Sequence, residues 1–366
     1  MEMIDTCNRM NAATLLRLMV DANASDLHLT AGSAPVLRVD GELKPQNLPT
    51  PSAAALESML AEITTEQQRT SFENEKELDF SCTTDGIGRF RVNAGLQQGS
   101  ITLAFRLVKD RIPSLEDLRL PEVCGHLALK PRGLVLVTGP TGCGKSTTLA
   151  SMIEYLNERE RRHVISIEDP IEYIHANKLC FISQRELGPD TLSFETALTH
   201  TLRQDPDVIL VGEMRDLATI SAALTAAETG HLVLTTLHTP SAAQTVDRII
   251  DVFPPHQQQQ VRVQLSLVLE AVLCQTLLPR LDGSGRVAAI EIMVANSAIR
   301  NLIREGKSHQ LSNVIQTSAQ FGMRSLDQDL AELCRTGVIA VEDALSRCQS
   351  ADELRRLLSA AEGLAA

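Results

Sequence analysis

The sequence predicts an α/β protein: a small N-terminal α+β domain, then a larger domain built on a mainly parallel sheet. Three observations carry that prediction. From Gly133 onward, short apolar runs of β character alternate with longer stretches of helical spacing, the pattern of a sheet covered by helices. Before Val108 the runs are mostly β-type and are punctuated by Asp-Gly pairs, which suit strands joined by tight turns. At 366 residues the chain is long enough to bury two cores.

The elements follow in order. Residues 10–24, MNAATLLRLMVDANA, carry apolar positions at helical spacing and read as a core-facing helix. SDLHLT, VLRVDGEL, ELDFSC, GRFRVNAGLQ and SITLAFRLV read as strands, with turns at Asp40-Gly41 and Asp85-Gly86 and helices at about 52–62 and 65–74. That places the first domain at residues 1–110. The Pro-punctuated RIPSLEDLRLPEV supplies a linker at 111–121, and the second domain takes residues 122–366. Within it, HVISIE, VILV and LVLTTL read as short apolar strands. Residues 261–278 place Leu265, Val268, Leu269, Val272, Leu273 and Thr276 on one face, a core or subunit-contact helix. DGSGR reads as a turn before the strand VAAIEIMV. Residues 298–307 read as a helix capped by Asn296 or Ser297, with Gly306 near its end. The tail from Val341 is helical by pattern, and its end, SAAEGLAA, is expected to be mobile.

Composition narrows the partners. The formal net charge is −12 and the acidic excess is spread along the chain, where a duplex-binding protein would want a basic stripe. Aromatics are sparse and Trp is absent, which disfavours base stacking. Nucleic acid is therefore not the expected partner. No apolar run reaches the length of a membrane span. The N-terminus lacks the basic-then-apolar layout of a signal peptide. The eight cysteines include no C-x-x-C, which fits a reducing cytoplasm better than a zinc ribbon or a disulfide framework.

One stretch carries explicit chemistry. GLVLVTGPTGCGKSTTLA contains G-x-x-x-x-G-K-S directly after a β-type run and directly before a helical one, the context that a phosphate-binding loop requires. Gly139, Pro140, Thr141, Gly142, Cys143 and Gly144 would turn backbone N–H groups toward phosphate oxygens, and the helix N-terminus adds a favourable field. Lys145 would reach the β- and γ-phosphates of ATP, the Ser146 hydroxyl would sit on Mg²⁺, and Thr147 follows in the same turn. Cys143 sits where the backbone does the binding, so its thiol is compatible with activity and open to redox chemistry. Two acidic strand ends accompany the loop. VILV runs into Glu213, a candidate carboxylate for the metal or its water ligands. HVISIE runs into Glu168, Asp169 and Glu172, which would repel one another without water, a cation or donors nearby.

The strand LVLTTL is bracketed by His231 and His238. A lone histidine beside a strand is usually a satisfied structural group. In open α/β sheets, ligands sit outside the carboxyl ends of the strands. His238 lies at that end, with the loop and both acidic groups. His231 lies at the other, about 23 Å away at ~3.3 Å per residue of extended chain. His238 is thus the candidate to donate to the γ-phosphate or its water, and His231 serves structure or inter-subunit coupling.

GPTGCGKSTT, IEDPIE, DPDVILVGEMRD and TGHLVLTTLHT together resemble the Walker A, Asp box, Walker B and His box of secretion and type IV pilus ATPases. SDLHLTAG and AIRNLIREGK resemble the twitching-motility, or pilus-retraction, branch of that family, and the resemblance covers nearly the whole chain. It implies a PAS-like N-terminal domain and a RecA-like P-loop ATPase domain with a helical C-terminal part. It further implies a cytoplasmic homohexamer, peripheral at the inner membrane at the pilus base. There it would act through the platform protein, with a PilU-type accessory ATPase as companion or rival identity. By position in the motifs, Glu172 matches the family's catalytic glutamate and Glu213 its Walker B glutamate. The family's ring packs one subunit's N-terminal domain against its neighbour's nucleotide, so Arg89, Arg91 and Arg106 are candidates to act in trans, with strand-face solvation the plain alternative. Arg300, Arg304 and Lys307 at i, i+4 and i+7 form a basic helix face, read as a surface coupling turnover to the pilus. A P-loop kinase would want a lid, and no Arg-rich segment exists beyond 159–162. A nucleotide-gated scaffold would not need Glu172 and Glu213.

Overall fold

The computed structural model describes residues 11–39, 41–108 and 111–362. The chain divides into two compact units, Met1–Asp110 and Arg111–Ala366.

The first unit is built on a six-stranded sheet of β1 (Asp26–Thr30), β2 (Val36–Val39), β3 (Glu42–Pro45), β4 (Leu78–Thr84), β5 (Gly88–Gln97) and β6 (Ser100–Leu107), in the order β3-β2-β1-β6-β5-β4. Every neighbouring pair is antiparallel. VLRVDGEL, read as one strand, is split into β2 and β3 around the turn at Gly41, whose φ of 85° is a left-handed conformation that favours glycine. Asp40 of that turn lies outside the described residues. Helices Ala12–Asp21, Ala53–Ile63 and Glu66–Glu75 start where the side chains of Asn11, Ser52 and Thr65 accept first-turn N–H groups. Leu15, Leu16, Met19, Leu56 and Met59 from these helices bury against Leu27, Leu29, Phe90, Val92, Leu103 and Phe105 of the sheet. Strand alternation leaves Asp26, Arg106 and Arg91 as successive cross-strand neighbours on the other face.

The second unit carries seven strands: β7 (Gly133–Thr138), β8 (His163–Glu168), β9 (Phe181–Glu186), β10 (Val208–Val211), β11 (Leu232–Leu237), β12 (Leu269–Pro279) and β13 (Arg286–Val294). Their order is β13-β12-β7-β11-β10-β8-β9, parallel throughout except for β13 against β12. β7, β10 and β11 are buried at every position, as strands covered on both faces must be. Residues 111–121 form neither strand nor helix, and Leu115 packs into this unit's core.

One sequence expectation is overturned here. The helix expected over 261–278 ends at Val268, and Leu269–Pro279 is the strand β12. The run LEAVLCQTLLP is mostly apolar and sits between β7 and β13, largely buried. Periodicity cannot separate such a strand from a buried helix.

Beyond β13, helices Leu326–Arg335, Val341–Arg347 and Ala351–Glu362 enclose a small core with Leu278, Val287 and Ala289. The last helix takes in the first half of SAAEGLAA, and residues 363–366 of that segment lie outside the described residues. Among the described residues, no helix is long and apolar enough to cross a membrane.

Candidate functional site

β7 delivers the chain into the glycine-rich loop, and the loop's shape is set by close approach. Gly139, Gly142 and Gly144 have φ of 135°, 78° and 91°, a region that L side chains rarely adopt. A Cβ on Gly139 would stand 2.2 Å from the Gln275 carbonyl oxygen and 2.8 Å from Cys143 Sγ. Gln275, buried on β12, also donates from Nε2 to the Cys143 carbonyl at 2.6 Å and accepts from Thr148 Oγ1 at 3.0 Å. One side chain thus joins the loop to the start of helix Lys145–Asn157. Sequence reading missed Gln275; its signal is the one amide in a mostly apolar strand.

That helix begins at Gly144 with no side-chain cap, so its first-turn N–H groups face the loop with an anion-binding field behind them. Lys145 Nζ donates to the carbonyls of Gly139 at 3.0 Å and Pro140 at 3.2 Å, which holds the ammonium over the cradle. Ser146 and Thr147 are half-buried in the first turn, and Thr147 Oγ1 lies 3.0 Å from the Tyr173 hydroxyl. Cys143 departs from expectation. It is 2% exposed, and burial pushes its thiol up, against the opposing charge of Lys145. A buried thiol held neutral is a poor redox sensor, so the expected redox sensitivity is corrected.

Register brings the rest to the same edge. Leu237 pairs with Thr138, Val211 with Thr235, and Ile167 with Val211, so β7, β11, β10 and β8 end side by side, with the loop and His238 just past β7 and β11, Glu213 past β10 and Glu168 last in β8. Glu213 lies 3.1 Å from His238 Nε2 and 2.8 Å from Arg215. Burial works to raise its pKa, but the Arg215 hydrogen bond and the charges of His238 and Arg215 outweigh it and hold the carboxyl below its usual range. Glu168 is answered within the protein: its Oε1 accepts from Ser166 Oγ at 2.6 Å and Gln184 Nε2 at 3.2 Å, while burial pushes its pKa up. Asp169 and Glu172 are exposed. Among the described residues, no cluster of three or more His, Cys, Asp or Glu could cage a metal. Mg²⁺ needs no such cage, since it binds through one or two protein groups plus phosphate oxygens. A hydroxyl such as that of Ser146 and a carboxylate such as that of Glu213 are groups of the kind such a site would use.

His231 stands at the opposite end of β11. Its carbonyl accepts from Gly133, and its N–H and Nδ1 lie 3.2 Å and 2.9 Å from the Ala226 carbonyl, closing the end of helix Leu217–Glu228. In the first unit, Arg106 Nε donates to Asp26 at 2.8 Å, Arg91 is its cross-strand partner, and Arg89 lies two residues before Arg91 on β5.

The basic helix face is corrected in two respects. Helix Ser297–Arg304 is capped by Asn296, whose Oδ1 accepts from Ile299 N–H. Ile299 and Ile303 are buried, and the helix ends at Arg304, so Lys307 lies beyond the expected helix face. Arg300 is not a solvated charge. It donates to the carbonyls of Ser266 at 3.0 Å and Leu267 at 2.9 Å and to Glu270 at 2.7 Å, closing the end of helix Pro255–Val268. Arg304 remains exposed.

Fold and site together define a P-loop ATPase of the α/β class, with an N-terminal α+β domain ahead of its nucleotide-binding domain. The chain belongs to the type II/IV secretion system protein family, which it matches over residues 13–286. It is 49% identical over 340 residues to the type IV pilus retractation ATPase PilT of Pseudomonas aeruginosa, covering 93% of this chain and 98% of that protein. It is 45% identical over 344 residues to the type IV pilus ATPase PilU of the same organism, covering 94% and 90%. A crystal structure of the pilus retraction motor PilT with bound ADP matches with a TM-score of 0.88 at 44% identity, covering 95% of this chain and all of that one (100%).

Proposed function

We propose that this protein is a hexameric motor that hydrolyses ATP to retract type IV pili, and so powers twitching motility. The observation that carries the proposal is the convergence of the phosphate loop, Glu213, His238 and the Glu172 loop at adjacent strand ends, in a chain 49% identical to PilT over nearly its full length. The loop N–H groups and Lys145 bind the β- and γ-phosphates of ATP. Ser146 and Glu213 would hold Mg²⁺, which when bound would supply positive charge against the charge that develops in phosphoryl transfer. Glu172 takes a proton from the attacking water as general base, and His238 donates to the γ-phosphate. An arginine among Arg89, Arg91 and Arg106 reaches the nucleotide of a neighbouring subunit. Force passes to the inner-membrane platform protein at the pilus base.

A PilU-type accessory role is the rival, because the identity to PilU is only slightly lower, 45%. Complementation separates them. The gene should restore retraction to a strain lacking its retraction ATPase, with turnover visible as phosphate release from the purified protein. Restoration only in a strain lacking the accessory ATPase would favour the rival.

A further inference from the structure

Glu172 lies on the stretch 169–178, between β8 and β9 and outside regular helix or strand, with its own side chain exposed. Nothing packed around the carboxylate itself fixes it. Its neighbours are bound, most of them to one helix. The Tyr173 hydroxyl lies 3.0 Å from Thr147 Oγ1, in the first turn of helix Lys145–Asn157. Two turns further along, Glu154 Oε2 lies 3.4 Å from His175 Nδ1, and its Oε1 lies 2.5 Å from Lys178 Nζ. Asn157 then donates to the Ala176 carbonyl at 2.8 Å and accepts from the N–H groups of Lys178 and Cys180 at 3.1 and 3.2 Å. From the other side, Gln184 donates to the Tyr173 carbonyl and accepts from His175 N–H, both at 2.8 Å.

The electrostatics set the direction of the key bond. The His175 hydrogen bond, ahead of Lys178 and Asn157 and against burial, holds the Glu154 carboxyl at about 2. An ionised carboxylate only accepts, so the His175 ring must donate from Nδ1. The His175 side chain is 4% exposed, so water competes little for that bond.

We propose that Tyr173 and His175 are positioning residues for hydrolysis: they register Glu172 against the phosphate loop by tying both to one helix. The proposal rests on the assignment of Glu172 as general base. A carboxylate on a loop is catalytically useful only if its distance to the γ-phosphate is held, and a displacement of about 1 Å can cost on the order of 10²-fold in rate. The helix that presents Lys145 and Ser146 to the phosphates is the natural reference for that distance.

The test uses the full-length protein with His175→Ala, His175→Asn and Tyr173→Phe, each alone and combined with Glu172→Gln. His175→Ala should lower kcat by on the order of 10²-fold and leave nucleotide affinity unchanged. His175→Asn should recover most of that loss, because its amide N–H stands near the place of Nδ1–H. Placed on Glu172→Gln, His175→Ala should add no further loss, since a misplaced base and a missing base are the same defect. A merely structural histidine would instead weaken nucleotide binding or multiply its effect onto Glu172→Gln, and either result overturns the proposal. Tyr173→Phe keeps the ring and removes one hydroxyl, so it carries the same kcat-only expectation even if His175→Ala folds poorly. Parental turnover by His175→Ala and Tyr173→Phe beside an inactive Glu172→Gln overturns the positioning role alone. Parental turnover by Glu172→Gln overturns the base assignment as well.

Discussion

The proposed function gives Glu172 and Lys145 different roles at the same phosphate, and single substitutions should separate them. A positioned carboxylate base contributes ~10²–10⁴-fold to rate without being needed to hold the nucleotide. Glu172→Gln should therefore bind ATP like the parent and lose turnover by about that factor. Lys145→Ala should weaken binding itself, because its ammonium already sits over the loop carbonyls of Gly139 and Pro140. Fluorescent-nucleotide titration beside phosphate release reads both. Normal hydrolysis by Glu172→Gln would move the base assignment to Glu213. This scale was the most legible in the sequence, because the cradle is made by backbone and only a few spacings build it. What stayed hidden was support from afar. Gln275 reaches the loop from β12, and no local pattern could have shown that its amide joins Cys143 to Thr148. Cys143 was visible as a position and misread as a chemistry, because its 2% exposure is a property of the fold.

At the scale of elements, Glu291 shows how a buried carboxylate stitches secondary structure together at a cost. From β13 it accepts the first N–H of helix Ala242–Asp251 at 2.6 Å through Oε1, and the Gln349 amide at 3.1 Å through Oε2. Burial pushes its pKa up against those two donors, and the charge of Asp327 adds to the rise. A folded-state pKa above the unfolded one means that the stabilisation is present below the unfolded value, near 4.5, and is lost as pH rises through the folded value. Glu291→Gln removes that titration. Relative to the parent, the variant should therefore be more stable at pH 7 than near pH 4, and thermal melts of both proteins across that range check the sign. A constant difference between the two would show that Glu291 keeps its ordinary pKa. Element types were legible wherever one face is wet, as in helix Ala12–Asp21. They failed at β12, where burial along most of the strand erases the period that distinguishes strand from helix.

At the scale of the whole molecule, two predictions concern action between copies and between machines. The first is trans catalysis. Arg106 is held by Asp26, with Arg91 beside it on the same face of the central strands, so these charges are ordered by the sheet rather than scattered. An arginine supplied by a neighbour can contribute ~10³–10⁵ in rate. Mixing Lys145→Ala subunits with subunits carrying Ala at Arg89, Arg91 or Arg106 should restore some ATPase activity, because each supplies what the other lacks. Mixed rings that stay inactive for all three would count against trans action. The second prediction separates two arginines that the sequence grouped on one face. Arg300→Glu would lose three hydrogen bonds and set a carboxylate against the carbonyls of Ser266 and Leu267 and against Glu270. Charge-assisted bonds of that kind contribute about 1.5–3 kcal/mol, and an anion at a helix C-terminus is unfavourable, so a loss of about 2 kcal/mol or more is expected in a denaturant melt. Arg304 is exposed, and reversing it should change stability by less than ~0.5 kcal/mol. If the surface around Arg304 transmits turnover to the pilus, Arg304→Glu will keep the hexamer and its basal ATPase while cells lose retraction. A strain with Arg304→Glu that twitches like its parent would leave that helix with only the structural role that Arg300 performs.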